Sequence, residues 1–143
     1  MILPKGVPLN AYRLLFFLTL LNLLNFVDRQ LIASFANFIV PDLGLTDTQY
    51  GFLTTVPFII FYSVAGLFMG VLADMVNRPR LIAFGVILWS VFTALTGAAK
   101  GFISMALPRM FIGVGESILT PTSMSLLSDS FPSKRMGFAA GFY

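Results

Sequence analysis

Long apolar runs separated by short polar breaks organise this chain. Four such runs cover roughly residues 14–40, 50–73, 81–99 and 102–128, and a fifth begins near Met136. A helix rises 1.5 Å per residue, and about 20 residues cross the hydrocarbon core of a bilayer. Each of the four is therefore long enough to span it, and the pattern predicts an all-α membrane protein. Val40-Pro41-Asp42 ends the first run, and Thr46 or Asp47 is placed to cap the second with a side-chain oxygen. The breaks at 74–80, 99–101 and 128–135 are tight, so neighbouring helices are expected antiparallel. The fifth run stops at Tyr143, in its first turns. Residues 1–143 are accordingly expected to be the N-terminal part of a longer protein.

Composition agrees and narrows the classes. Apolar residues make up 57% of the chain and charged residues 10%, with mean hydropathy +0.90. A soluble domain carries about 25% charged residues. There is no cysteine and no histidine, which excludes disulfides, thiolate metal sites and Ser-His-Asp or zinc-hydrolase chemistry within these residues. No cofactor, metal site or enzymatic activity is expected. The net charge of +3 is small and scattered, so nucleic acid is not an expected partner. The opening MILPKGVPLNAYR lacks a signal-peptide layout. With the N-terminus cytoplasmic, Lys5, Arg13, Arg78, Arg80, Lys134 and Arg135 all fall on the inner side and only Lys100 on the outer. That positive-inside bias predicts a cytoplasmic N-terminus.

Charges inside the spans point to chemistry. Segments two and three carry none, whereas segment one holds Asp28 and Arg29 and segment four holds Arg109 and Glu116. An ionisable group at mid-membrane costs about 2.5–3.5 kcal/mol on insertion scales. Arg109 and Glu116, seven residues apart, lie about 20° from each other on one helix face, and Thr120 and Ser123 continue that stripe. On segment one, Asn22, Asn25 and Arg29 fall within about 60° of each other. A buried ion-pair network serving only packing is one reading. A polar cavity for transport or proton relay is the other, and it is favoured because apolar replacement of a purely structural pair is often neutral or stabilising. Gly66 and Gly70 form a small-residue pair expected to pack helices, as do Gly113 and Gly115. Pro121 removes a hydrogen bond to the Ser117 carbonyl and predicts a kink. The sixteen phenylalanines read as lipid-facing bulk or core, and Trp89 as a packing residue.

These residues carry a family resemblance. GVLADMVNRPRLI, residues 70–82, resembles the loop 2–3 signature of the major facilitator superfamily, with Gly70, Leu72, Ala73, Asp74, Arg78, Arg80, Leu81 and Ile82 at its pattern positions. Met75 and Pro79 stand where basic residues are usual, and Asn77 where glycine is usual; asparagine tolerates a left-handed turn conformation. Within the superfamily, the helix-one VDR and the stretch RMFIGVGESILTPTSMSLLSDSFP are similar to the Spinster-type lysolipid and sphingolipid transporters. Arg109, Gly113 to Glu116, Pro121-Thr122 and Asp129 to Phe131 carry that pattern, with Ser117 where a small residue is usual. Organic-anion symporters share the helix-one Asp-Arg and the helix-four glutamate.

The resemblance implies twelve helices in two six-helix halves, with helices one and four lining a midplane cavity between the halves. This chain then supplies helices one to four and the start of helix five. It implies a secondary transporter of alternating access, monomeric at full length, in a bacterial inner membrane. Its partners are expected to be protons, membrane lipids and an amphipathic anionic or zwitterionic small molecule. Burial disfavours the charged form of a carboxylate and a neighbouring arginine favours it, so Glu116 first and Asp28 second are expected to carry the proton. Arg29 and Arg109, with Asn25 and Thr120 on the same stripes, are expected to bind substrate, since guanidinium pairs bidentately with phosphate or carboxylate. Asp74, Arg78, Arg80 and Asp129 are expected to form a cytoplasmic gate. A compact organic anion is the alternative substrate. A channel is disfavoured because a neutralised Asp/Arg quartet lines a pore poorly, and a four-helix scaffold leaves the incomplete fifth helix unexplained.

Overall fold

The computed structural model describes residues 7–143, and all of its regular structure is helical. Lys5, counted above on the inner side, lies outside the described residues. The helices are α1 (Leu9–Ser34), α2 (Ala36–Asp42), α3 (Asp47–Met75), α4 (Arg78–Thr96), α5 (Phe102–Ser117), α6 (Leu119–Ser130) and α7 (Ser133–Phe142). Four spans are long and apolar enough to cross a membrane: α1, α3, α4 and the α5–α6 pair.

The first span differs from the single run 14–40. It starts earlier, at Leu9, and is interrupted at Phe35. Two contacts account for the interruption. The Tyr50 hydroxyl on α3 donates to the Ile32 carbonyl, which also accepts from Phe35 N–H at 3.2 Å in a tightened turn, and Ser34 Oγ donates back to Gln30 O at 2.9 Å. Pro41 does not end the helix but sits in the last turn of α2. The stop is Gly44 at φ +60°, where Leu45 N–H reaches Val40 O at 3.0 Å and Gly44 N–H reaches Pro41 O at 3.3 Å. This paired closure needs a left-handed residue and favours glycine.

Thr46 caps α3. Its Oγ1 accepts from Gln49 N–H at 3.2 Å, and Gln49 Oε1 accepts from Thr46 N–H at 3.0 Å, a reciprocal box that satisfies two free donors. Asn77 caps α4 by accepting from Arg80 N–H at 3.1 Å. Its φ of −66° is not left-handed, so the asparagine serves as a cap and not as a replacement for turn glycine. The fourth span is interrupted at Ile118, three residues before Pro121, whose ring nitrogen cannot donate to Ser117 O.

The fourth span is the hub, buried over 61% of its apolar window against 17–22% for the other three. Glycines set its spacing. A Cβ on Gly113 would sit 2.7 Å from Phe58 O and 3.1 Å from Tyr62 N, so α5 lies directly on the α3 backbone. On the other side, a Cβ on Gly115 would be 3.0 Å from both Gly85 O and Trp89 N, and one on Gly85 would be 2.9 Å from Gly115 O. Without a hydrophobic drive between helices in lipid, such close approach is what holds them. Trp89 is buried in this contact. Of the other pair, a Cβ on Gly66 would lie 4.0 Å from Ser117 Cβ, and one on Gly70 would have nothing within 4 Å among the described residues. Among the described residues, the expected Gly66/Gly70 seam packs no helix closely. Phe16, Phe38, Leu67, Phe68 and Ile103 are exposed on the outside, a surface suited to lipid.

Candidate functional site

Three helices meet at the charged stripe. Arg29 leaves α1 toward α5 and its Nε donates to Glu116 Oε2 at 2.6 Å. Glu116 is 1% exposed, and its second oxygen has no partner among the described residues. Arg109, one face along the same helix, is 4% exposed; its Nη2 donates to Thr54 O at 3.0 Å and its Nε is unpartnered. Between the two cations stands Phe58 of α3. Its ring centroid is 4.8 Å from the Arg29 guanidinium carbon and 5.2 Å from that of Arg109. Tyr62 stacks on Phe58 with centroids 5.6 Å apart and is itself 4.8 Å from the Arg29 guanidinium. The site thus holds two guanidiniums, one carboxylate and two aromatic faces.

Not all expected residues join it. Asp28 makes no ion pair among the described residues and lines a separate cavity of about 380 Å³ with Phe35, Phe38, Thr96, Met105 and Arg109. Of the four charges, Arg29 and Glu116 form the direct ion pair, and Arg109 lines the cavity with Asp28. The reason is elementary, since consecutive helical residues point about 100° apart. Asn25 is buried with its Nδ2 unpartnered, whereas Thr120 is exposed. Asn22 Nδ2 instead donates to Tyr143 O at 2.8 Å, tying α1 to the end of α7. Ser123 and Thr122 are fully buried with unpartnered hydroxyls among the described residues.

At the turn between α3 and α4, Arg78 pairs with Asp129 of α6 and lies 3.7 Å from Asp74. Ser125 Oγ donates to Asp74 Oδ1 at 3.3 Å, and Arg78 Nε donates to Ala73 O at 3.2 Å. Asp74, Arg78 and Asp129 are thus brought together. Arg80 is not: it is exposed and makes no ion pair among the described residues.

The profile of the Major Facilitator Superfamily matches residues 18–143. The chain belongs to the major facilitator superfamily. It is 32% identical over 140 residues to the probable L-galactonate transporter of Escherichia coli, covering 97% of this chain and 30% of that protein. It is 31% identical over 125 residues to the sphingosine-1-phosphate transporter of Danio rerio, covering 85% of this chain and 25% of that one. A solved bacterial homolog of the human lysosomal transporter Spinster, inward-facing and unoccupied, superposes with TM-score 0.91 at 37% identity, over 96% of this chain and 29% of that structure. The chain thus spans between a quarter and a third of the length of these proteins. As a member of this transporter superfamily it is a multi-pass membrane protein, and its four spans with α7 are helices one to four and the start of helix five of the twelve-helix fold.

Reading charges alone left out the α3 side of this site. Tyr50, Thr54, Phe58 and Tyr62 recur every four residues, one face of a helix, and all four touch α1 or α5. The periodic signal was present, but in a segment without charge it reads as lipid-facing bulk.

Proposed function

We propose that the protein containing this chain is a proton-coupled secondary transporter of amphipathic anions, of the lysolipid or sphingoid-phosphate class, working by alternating access. One observation carries the reading: a buried carboxylate, Glu116, is shared between a partner cation at 2.6 Å and an open oxygen that can take a proton. Protonating Glu116 releases Arg29, so Glu116 and the substrate anion compete for one guanidinium and proton uptake at Glu116 favours anion binding. Arg109 and its unpartnered Nε supply a second donor. Asn25 and Thr120 are assigned to the substrate as further polar groups of the first and fourth spans, and Asp28 is the second proton group, on the cavity it shares with Arg109. Apolar walls from Phe35, Phe38 and Met105 suit an acyl tail beside that arginine. The protein sits in a bacterial inner membrane with its N-terminus cytoplasmic. The Danio rerio and Spinster likenesses support the lipid substrate. The L-galactonate relative supports a compact hydroxy acid as the second reading.

Flux in proteoliposomes with an imposed pH gradient separates them. Each buried methylene contributes about 0.8 kcal/mol, so a lipid carrier binds long-chain lysolipids far better than short-chain ones with the same head. Equal affinity along that series, with saturable uptake of a small hydroxy acid, selects the second reading. Glu116→Gln abolishes proton-driven accumulation and leaves exchange intact. Wild-type pH-dependent uptake in both Glu116→Gln and Asp28→Asn removes the proton-carrier assignment.

A further inference from the structure

A guanidinium released from a buried carboxylate needs another place to rest, or it swings away with its long side chain. In this site the alternative is already in contact. Arg29 lies 4.8 Å from the centroids of both Phe58 and Tyr62 while still bonded to Glu116. Arg109 uses the same Phe58 ring at 5.2 Å. We propose that Phe58 is the positioning residue of the anion site, the shared aromatic seat that keeps Arg29 and Arg109 together after Glu116 lets go.

Three physical points favour a phenylalanine here. A cation is attracted to the negative face of an aromatic ring, an attraction strengthened where water is excluded. A guanidinium stacked on a ring engages it through its flat face, which leaves in-plane N–H donors for a phosphate or carboxylate. Phenylalanine has no donor or acceptor of its own, so it does not compete for those N–H groups. An aliphatic residue would pack but would not attract the cations. A short polar one such as Asn, with its oxygen beside the guanidiniums rather than at a ring's far edge, would occupy the donors that the substrate needs.

The ring is also fixed in place. Phe58 is 6% exposed and stacked on Tyr62 at 5.6 Å with 27° between planes. Its carbonyl lies where a Cβ on Gly113 would be 2.7 Å away, so the backbone of α3 is pressed onto α5 at this residue. Arg109 and Glu116 flank Gly113 on α5. One helix–helix contact therefore sets the distance from the aromatic seat to both the second cation and the carboxylate.

The inference rests on the reading that the arginine pair takes an anionic group, which both substrate classes share. The test uses the full-length protein in nanodiscs and pairs each anion with a neutral twin: oleoyl lysophosphatidate with monooleoyl glycerol, and galactonate with galactitol. In Phe58→Leu, binding of whichever anion the wild type prefers falls about ten-fold while its neutral twin is unchanged. Phe58→Tyr keeps the ring and keeps the preference. Phe58→Met, without a ring, replaces Phe58→Leu should the latter not fold. An equal loss for anion and twin, or no loss, overturns the positioning role and leaves the substrate reading standing. A wild-type preference for galactonate over galactitol, without one for the phosphate lipid, removes the lipid reading while Phe58 is still judged on the sugar pair. A wild type that prefers neither anion overturns both.

Discussion

Arg29 crosses from α1 to α5, and its effect on stability follows from what it leaves behind when removed. Glu116 is 1% exposed, so Arg29→Ala strands a carboxylate away from water. Removing one partner of a buried pair costs roughly 3–5 kcal/mol. The Arg29 side chain is 34% exposed, which places the expected loss near the low end, about 3 kcal/mol. Converting the stranded group to an amide in Arg29→Ala/Glu116→Gln should restore most of it. Thermal melting in detergent measures both; a single variant as stable as the double shows that Arg109 takes over the carboxylate. The sequence made the charged residues visible because a charge in an apolar run has no camouflage. It did not make their partners visible. Asp28 and Arg29 are neighbours in the chain, yet only the arginine reaches Glu116, and neighbouring helical positions do not share a face. Phe58 was hidden among sixteen phenylalanines, most of which answer to lipid or core packing.

Among the elements, α5 depends on two glycines whose backbones meet two different helices. Gly113→Ala places a methyl 2.7 Å from Phe58 O and 3.1 Å from Tyr62 N, both backbone atoms that cannot swing aside. Helix α3 must then move off α5, and overpacking of this kind costs typically about 1–3 kcal/mol. Gly70→Ala, with nothing within 4 Å, should melt like the wild type or slightly above it, since alanine favours helix. Equal melting of the two variants would contradict the close α3–α5 approach. Spans and turns were legible because twenty-residue apolar runs and capping residues such as Thr46 act locally. The interruption at Phe35 was not, because one contact beside it, the Tyr50 hydroxyl on the Ile32 carbonyl, comes from another helix. Pro121 announces its own break, as its missing N–H is written in the chain. Gly66 and Gly70 have the right spacing for a seam, but among the described residues no helix lies closely on that face.

For the whole molecule, the contacts around Arg78 join the C-terminal end of α3, the N-terminal end of α4 and the C-terminal end of α6. Arg78 pairs with Asp129 and lies 3.7 Å from Asp74, with side chains that are 26%, 61% and 71% exposed respectively. Exposed pairs contribute no more than about 1 kcal/mol to stability, so this latch does not hold the bundle together. A contribution of that size matters more to an equilibrium between two conformations of nearly equal energy, where about 1 kcal/mol changes the population ratio roughly five-fold. A ligand or contact shifts such an equilibrium only if it differs between the states. We expect the latch to favour the outward-open state of the full-length transporter. Arg78→Ala and Asp74→Asn should then raise the inward-open population and slow turnover, while the melting temperature barely moves. Arg80→Ala is the control, because Arg80 is exposed and stands outside these ion pairs among the described residues. Spin-label distances across the cytoplasmic face report the shift directly. Distances that lengthen in the Arg78 and Asp74 variants and stay put in the Arg80 variant support a gate. Unchanged distances in all three leave the contacts as surface pairs without a part in the cycle.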